Sequence, residues 1–250
     1  MYSHNYFVLN IAKKNTTMSK RLRFFVGHLV VSLCIALVVL SLVYGLWYPA
    51  PFAMAVGVTP IFLMLLATDV VLGPLLGFVV YKKAKKSLKF DLSIIILIQI
   101  SALSFGIYNI AQARPAWIVF NTDRFELIRN TDLILSEKKP ETAFSHVGWF
   151  GPKWAAVKVA SDVEQKNEDL FVEALGGISI AQRPERYFAL KDIRQDMVYR
   201  AQDLHKLEAF NESIHVKSFL QKYSQANAWL PLKANAVDMV VRGGPTCLNN

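Results

Sequence analysis

At 250 residues, 53% hydrophobic and with a mean hydropathy of +0.29, the chain is too apolar for an ordinary soluble domain. Its net charge of +9 would suit a nucleic-acid partner if the excess lay on a domain surface. Instead, ten basic residues bracket apolar runs, Lys13, Lys14, Lys20, Arg21 and Arg23 before the first and Lys82, Lys83, Lys85, Lys86 and Lys89 after the second, so the excess is a topology signal and no nucleic-acid partner is expected.

Residues 1–17 are polar and without periodicity, whereas Met18-Ser-Lys-Arg-Leu-Arg23 has the form of a natural start, so residues 1–17 read as an upstream start or a cytoplasmic tail. Residues 1–23 are taken as a basic cytoplasmic segment. Three apolar runs follow, Phe24 to Tyr48, Met54 to Tyr81 and Leu92 to Ala113, each longer than the ~20 residues that cross a bilayer core. They make residues 24–113 a three-helix transmembrane region. Both basic clusters belong on the cytoplasmic side, where they also meet anionic lipid headgroups, and the uncharged Pro49-Ala-Pro51-Phe52 turn faces out. Residues 114–250 are then extracytoplasmic, in a bacterium periplasmic. The first run is too long for a signal peptide, lacks a small-x-small cleavage pattern and is followed by further spans. Trp47 and Tyr48 at its end are expected to anchor the outer interface. Cys34 in the first span and Cys247 near the end are too far apart to suggest a disulfide.

The second span carries an acid, which is costly in lipid and calls for a partner or a purpose. Asp69, Gly73 and Gly77 recur every four residues and share one helix face, a small-residue groove against which a helix can pack. Pro74 removes a backbone donor and leaves the Val70 carbonyl bare. This face suits either the protein's own first or third span or the membrane helix of a partner. Counting from the cytoplasmic edges at ~1.5 Å per residue puts Ser104 level with Asp69. Ser101 and Ser104, on one face of the third span, are therefore the expected hydrogen-bond donors, with Gln99 a weaker candidate. A single intramembrane acid offers no proton relay.

After Arg114-Pro115 the pattern changes. Trp117 to Phe120 and Arg124 to Arg129 read as strands around an Asn121-Thr-Asp123 turn, and Leu133 to Phe150 is ambiguous. Lys153 to Ala160 reads as a strand after the Gly151-Pro152 turn. Ser161 and Glu164 form a capping box opening a helix that stops at Gly176-Gly177, with Glu164, Glu168 and Asp169 on a solvated face. Helical spacing marks Asp192 to His205 and Glu212 to Tyr223; Trp229 to Leu232 and Ala236 to Val241 close the domain as strands. The fold class is an integral membrane protein, three transmembrane helices followed by a small α+β extracytoplasmic domain.

No G-x-S-x-G, H-E-x-x-H, C-x-x-C, Walker A or G-x-G-x-x-G motif occurs. His146, His205 and His215 lack carboxylates at ligand-like intervals and read as solvated or core residues. No enzyme, cofactor or metal site is expected.

Several separated blocks do resemble one family. Asp69-Val-Val-Leu-Gly-Pro-Leu-Leu76, Lys86-Ser-Leu-Lys-Phe-Asp-Leu92, Gln112-Ala-Arg-Pro115 with Val119-Phe120, Asp123-Arg-Phe-Glu126 and Ala181-Gln-Arg-Pro184 are similar, in this order, to the type IV pilin accessory proteins of the TfpX/TfpZ group. The resemblance runs from Met18 to about Met239. It implies a Gram-negative inner-membrane protein assisting the assembly or surface display of type IV pili, with a type IV pilin, and the pilus assembly machinery, as partners and no catalytic residues. A membrane-anchored envelope sensor or scaffold without a dedicated pilin is the alternative; a pilin-modifying enzyme would need more spans or an acidic catalytic motif. The chain departs from the family at Arg242-Gly-Gly-Pro-Thr-Cys-Leu-Asn-Asn250, which reads as neither strand nor helix; a truncation or frameshift there would leave the domain without an edge strand.

Overall fold

The computed structural model describes residues 19–82, 86–135 and 142–243. The expectations for residues 1–17 and for the closing 244–250 lie outside the described residues. Helix α1 spans Lys20–Leu42, opened by the Ser19 hydroxyl accepting from the Leu22 amide at 3.2 Å, and widens into a π-helical turn at Val43–Trp47. A short helix α2, Phe52–Val56, precedes α3, Val58–Val80, and α4, Leu88–Gln112. α1, α3 and α4 are long and apolar enough to cross a membrane.

Two boundaries differ from those read in the sequence. Met54 to Val56 do not begin the second span but belong to α2. The break is Gly57, whose φ of +78° ends α2 and starts α3. At the other end, the third span begins about a turn earlier than its apolar run, at Leu88, with Lys89 and Asp91 inside its first turn.

Trp47 and Tyr48 also differ from expectation. They are buried rather than turned to lipid, and the Tyr48 hydroxyl donates to the Ile110 carbonyl at 2.8 Å, tying the end of span one to the end of span three. Both join an apolar core with Phe62, Leu66, Leu103 and Ile110. At the opposite end, Arg21 donates to the Phe78 carbonyl at 2.6 Å and lies 3.9 Å over the Phe78 ring, so the basic flank pins α1 to the last turn of α3.

The C-terminal domain is a six-stranded sheet in the order β4-β3-β1-β2-β5-β6. Its strands are β1 Pro115–Asn121, β2 Arg124–Arg129, β3 Lys153–Val157, β4 Tyr187–Phe188, β5 Ala228–Lys233 and β6 Met239–Gly243. β1 and β2 form the expected hairpin, with Thr122 at φ +59° in the turn. β3 and β5 add in parallel on either side, and β4 and β6 close each edge antiparallel. Arg242 and Gly243 extend β6.

Every β1 residue is buried, because the sheet is covered on both faces. Ile118 and Phe120 meet Met197, Leu230 and Leu232, and this side also takes Ala55 of α2, which is fully buried. Trp117 and Val119 point the other way, onto Ile180, Ala181 and Tyr187. The link between spans one and two is thus part of the domain core. The amides of Ala236 and Val237 both donate to the Ala55 carbonyl, at 2.9 and 3.3 Å. Gly57→Val is expected to loosen this junction, since a Cβ there would lie 2.7 Å from the Ala236 Cβ and a positive φ costs a β-branched residue about 1–3 kcal/mol. Thermal melting of the detergent-solubilised variant checks it; an unchanged midpoint would refute the coupling.

Around the sheet lie α5 Val163–Gly176, α6 Arg194–Arg200 and α7 Ser213–Lys222. Asp162, not Ser161, caps α5, accepting from the Gln165 amide at 3.0 Å. The helix read from Asp192 to His205 is only α6 in its centre. Gln202 and Trp229 exchange backbone hydrogen bonds at 2.8 and 2.9 Å, which pulls residues 201–203 out of the helix despite their spacing.

Candidate functional site

Gly73, Pro74 and Gly77 are buried on the inner face of α3, and Asp69 is half-buried a turn away. The structure occupies this face with the protein's own side chains. Gln99 of α4 reaches across: its carboxamide nitrogen donates to the Asp69 carbonyl at 3.0 Å and to the Ser32 hydroxyl of α1 at 3.1 Å. A Cβ on Gly73 would overlap that carboxamide, and one on Gly77 would lie 2.9 Å from the Phe24 ring and 3.5 Å from His28 Nδ1. The glycines are what lets the three helices close on one polar residue.

Gln99, rather than Ser101 or Ser104, is therefore the third-span group at Asp69. Both serines are exposed on the outside of α4. The depth count misplaced them because α4 starts at Leu88: Gln99 lies eleven residues into its helix, as Asp69 lies eleven from the end of α3. Ser32 and His28 escaped the sequence reading altogether. Their spacing of four on α1 puts them on one face, which was the available signal.

The second constellation lies where the domain meets the membrane region. Arg114 follows α4 directly; it donates to the Ala111 carbonyl at 2.7 Å and to the Gly148 carbonyl at 3.2 Å. Burial draws its guanidinium below its ordinary pKa, partly offset by nearby Tyr48. Asn130 bridges back to Gln112, side chain to side chain, at 2.9 Å. Arg129 is held by a bidentate pair to Asp132 at 2.8 and 2.9 Å, and that bond raises its pKa.

Within the domain, Asp169 is not on a solvated face but 7% exposed, paired with Arg183 at 3.3 Å and with Arg186. Glu126, also buried, accepts from the Asn121 side-chain carboxamide at 2.8 Å and lies 3.5 Å from Arg124. The Tyr187 hydroxyl donates to the Ala181 carbonyl, and burial, with Glu126 and Glu185 adding, pushes its pKa up. Asp169, Glu126 and Tyr187 thus each have structural partners within the domain.

Fold and site together define a three-span membrane protein whose C-terminal α+β domain is docked on the link between its first two spans. The Fimbrial assembly protein FimB family matches residues 16–57. Two proteins of Dichelobacter nodosus, "Fimbrial assembly protein, serogroup I" and "Fimbrial assembly protein, serogroup E1", are each 34% identical over 220 residues, 83% of this chain and 84% of theirs. A third from that organism, "Fimbrial assembly protein, serogroups C1 and C2", is 37% identical over 112 residues, 44% of this chain and 86% of that protein. No solved structure matches the chain. The chain belongs to the fimbrial assembly protein family, in keeping with the pilus accessory group its sequence blocks resemble, and its role lies in fimbrial or pilus biogenesis.

Proposed function

We propose that the protein is a non-enzymatic inner-membrane accessory factor of type IV pilus biogenesis that assists assembly or surface display of a cognate pilin. The N-terminus is cytoplasmic and the C-terminal domain periplasmic, as the two basic clusters indicate. One observation carries the partner reading. Of the third span, Leu103 and Ile110 are buried and Gln99, Ile107 and Ala111 are partly buried against the other helices. Leu97, Ser101, Ser104 and Tyr108 run along its outside at helical spacing, all exposed. Small hydroxyl residues between larger apolar ones admit a second helix closely. The membrane helix of a pilin packs on this outer face of α4, because the Asp69-Gly73-Gly77 face is already filled.

The test is recovery of pilin with the tagged protein from solubilised membranes of its host, read by mass spectrometry. Wild type is expected to bring down one pilin, and Ser101→Trp with Ser104→Trp to lose most of it at unchanged thermal stability. Wild type recovering no pilin while folded would favour the envelope sensor or scaffold. Full recovery by the double variant would move the contact off α4.

A further inference from the structure

The expected interfacial aromatics, Trp47 and Tyr48, are buried, yet two other aromatics stand at the same level. Trp149 is 65% and Phe150 71% exposed, on the loop before β3. That loop is tied to the ends of two spans. The Gly151 amide donates to the Leu46 carbonyl, in the last turn of span one, at 3.0 Å. The Gly148 carbonyl accepts from Arg114, which itself caps Ala111 at the end of span three. The Arg114 guanidinium lies 5.1 Å over the Trp149 ring, and Gly151 abuts Pro49.

We infer that Trp149 and Phe150 form a membrane-inserting tip, by which the C-terminal domain contacts the phospholipid leaflet on its own side of the bilayer. Chain ends of transmembrane helices lie in the headgroup region, so a loop hydrogen-bonded to two of them lies there too. Exposed Trp and Phe gain most at that depth, where the ring is withdrawn from water and the indole N–H keeps a polar partner. The neighbouring exposed Lys153 suits lipid phosphates at the rim. Phe171 on α5, exposed as well, carries no comparable bond to a span end among the described residues. The tip fixes the tilt of the domain relative to the membrane and so the direction in which its remaining surface faces.

Depth measurement tests this directly. Single cysteines are introduced as Trp149→Cys, Phe150→Cys, Leu46→Cys and Phe171→Cys in a Cys34→Ser, Cys247→Ser background, spin-labelled, and the full chain is reconstituted into phosphatidylethanolamine and phosphatidylglycerol bilayers. Relative accessibility to oxygen and to a water-soluble nickel chelate reports depth. Labels at 149 and 150 are expected to match the one at 46, rich in oxygen and several-fold poorer in nickel contact than the one at 171. The Phe150→Cys variant keeps Trp149 and its Arg114 contact, so loop distortion cannot account for its result. Nickel accessibility at 150 equal to that at 171 would overturn the inference.

Discussion

Asp169→Ala is expected to destabilise the domain by about 3–5 kcal/mol, because it leaves two arginines at a buried site without their counter-charge. The two arginines enter from the far side of a turn: Arg183 and Arg186 flank Pro184, in a 3-10 turn that leads into β4. Their partner is the one buried residue of α5. Leu170, Phe171 and Leu175 on the same helix are exposed, so apolar packing holds α5 weakly and the carboxylate holds it firmly. The melting midpoint of a domain this size should fall by roughly 10–20 °C. Limited proteolysis should cut first within residues 163–176. A triple variant, Asp169→Leu with Arg183→Met and Arg186→Met, should regain much of the loss, since an apolar set of similar volume carries no desolvation cost. A melting point of Asp169→Ala within a degree or two of wild type would show that the pair is a surface contact in effect.

That site illustrates which parts of the protein could be read in the sequence. The spans were legible because a run of over 20 apolar residues has few alternatives. The β1–β2 hairpin was legible because Asn121-Thr-Asp123 sits between a short apolar segment and one that alternates apolar with charged residues. Asp169 was not, since a carboxylate among other acids on a helix resembles a solvated face, and its partners lie 14 and 17 residues away in a different element. The end of α6 failed for a related reason: Met197 and Ala201 keep helical spacing, but the backbone of Gln202 is claimed by Trp229, a contact no local pattern records. Asp69 was recognised as needing a partner, yet the choice between Gln99 and the serines turned on where α4 begins. Lys89 and Asp91 hid that boundary by interrupting the apolar run. The blocks that carry the family resemblance make both local and nonlocal contacts. Gln112 and Arg114 join span three to the domain, Glu126 holds Asn121, and Gln182 caps Ser179 at 2.9 Å and reaches the Asp132 carbonyl at 3.1 Å.

Gly73→Leu is expected to separate α3 from α4, because the added side chain has no room beside Gln99 and the helices cannot rotate without exposing Asp69. Gly73→Ala is the more informative change. Its methyl displaces only the carboxamide of Gln99, a flexible end, so the helices can stay in place while the bonds to Ser32 and the Asp69 carbonyl are lost. Hydrogen bonds between membrane helices average ~0.6 kcal/mol, so the loss should be about 1–2 kcal/mol. Gln99→Ala removes the same bonds without the clash and should cost a similar amount. The double variant, Gly73→Ala with Gln99→Ala, should then cost no more than either alone, a strong departure from additivity. Unfolding by sodium dodecyl sulfate in mixed micelles measures all four proteins; additive losses would show that the two residues act independently. The same series sorts the partner question. Pilin recovery lost with Gly73→Leu but kept with Gly73→Ala and Gln99→Ala would trace to a disassembled bundle. Recovery lost with the Ser101 and Ser104 variants at full stability would place the partner's helix on the outer face of α4.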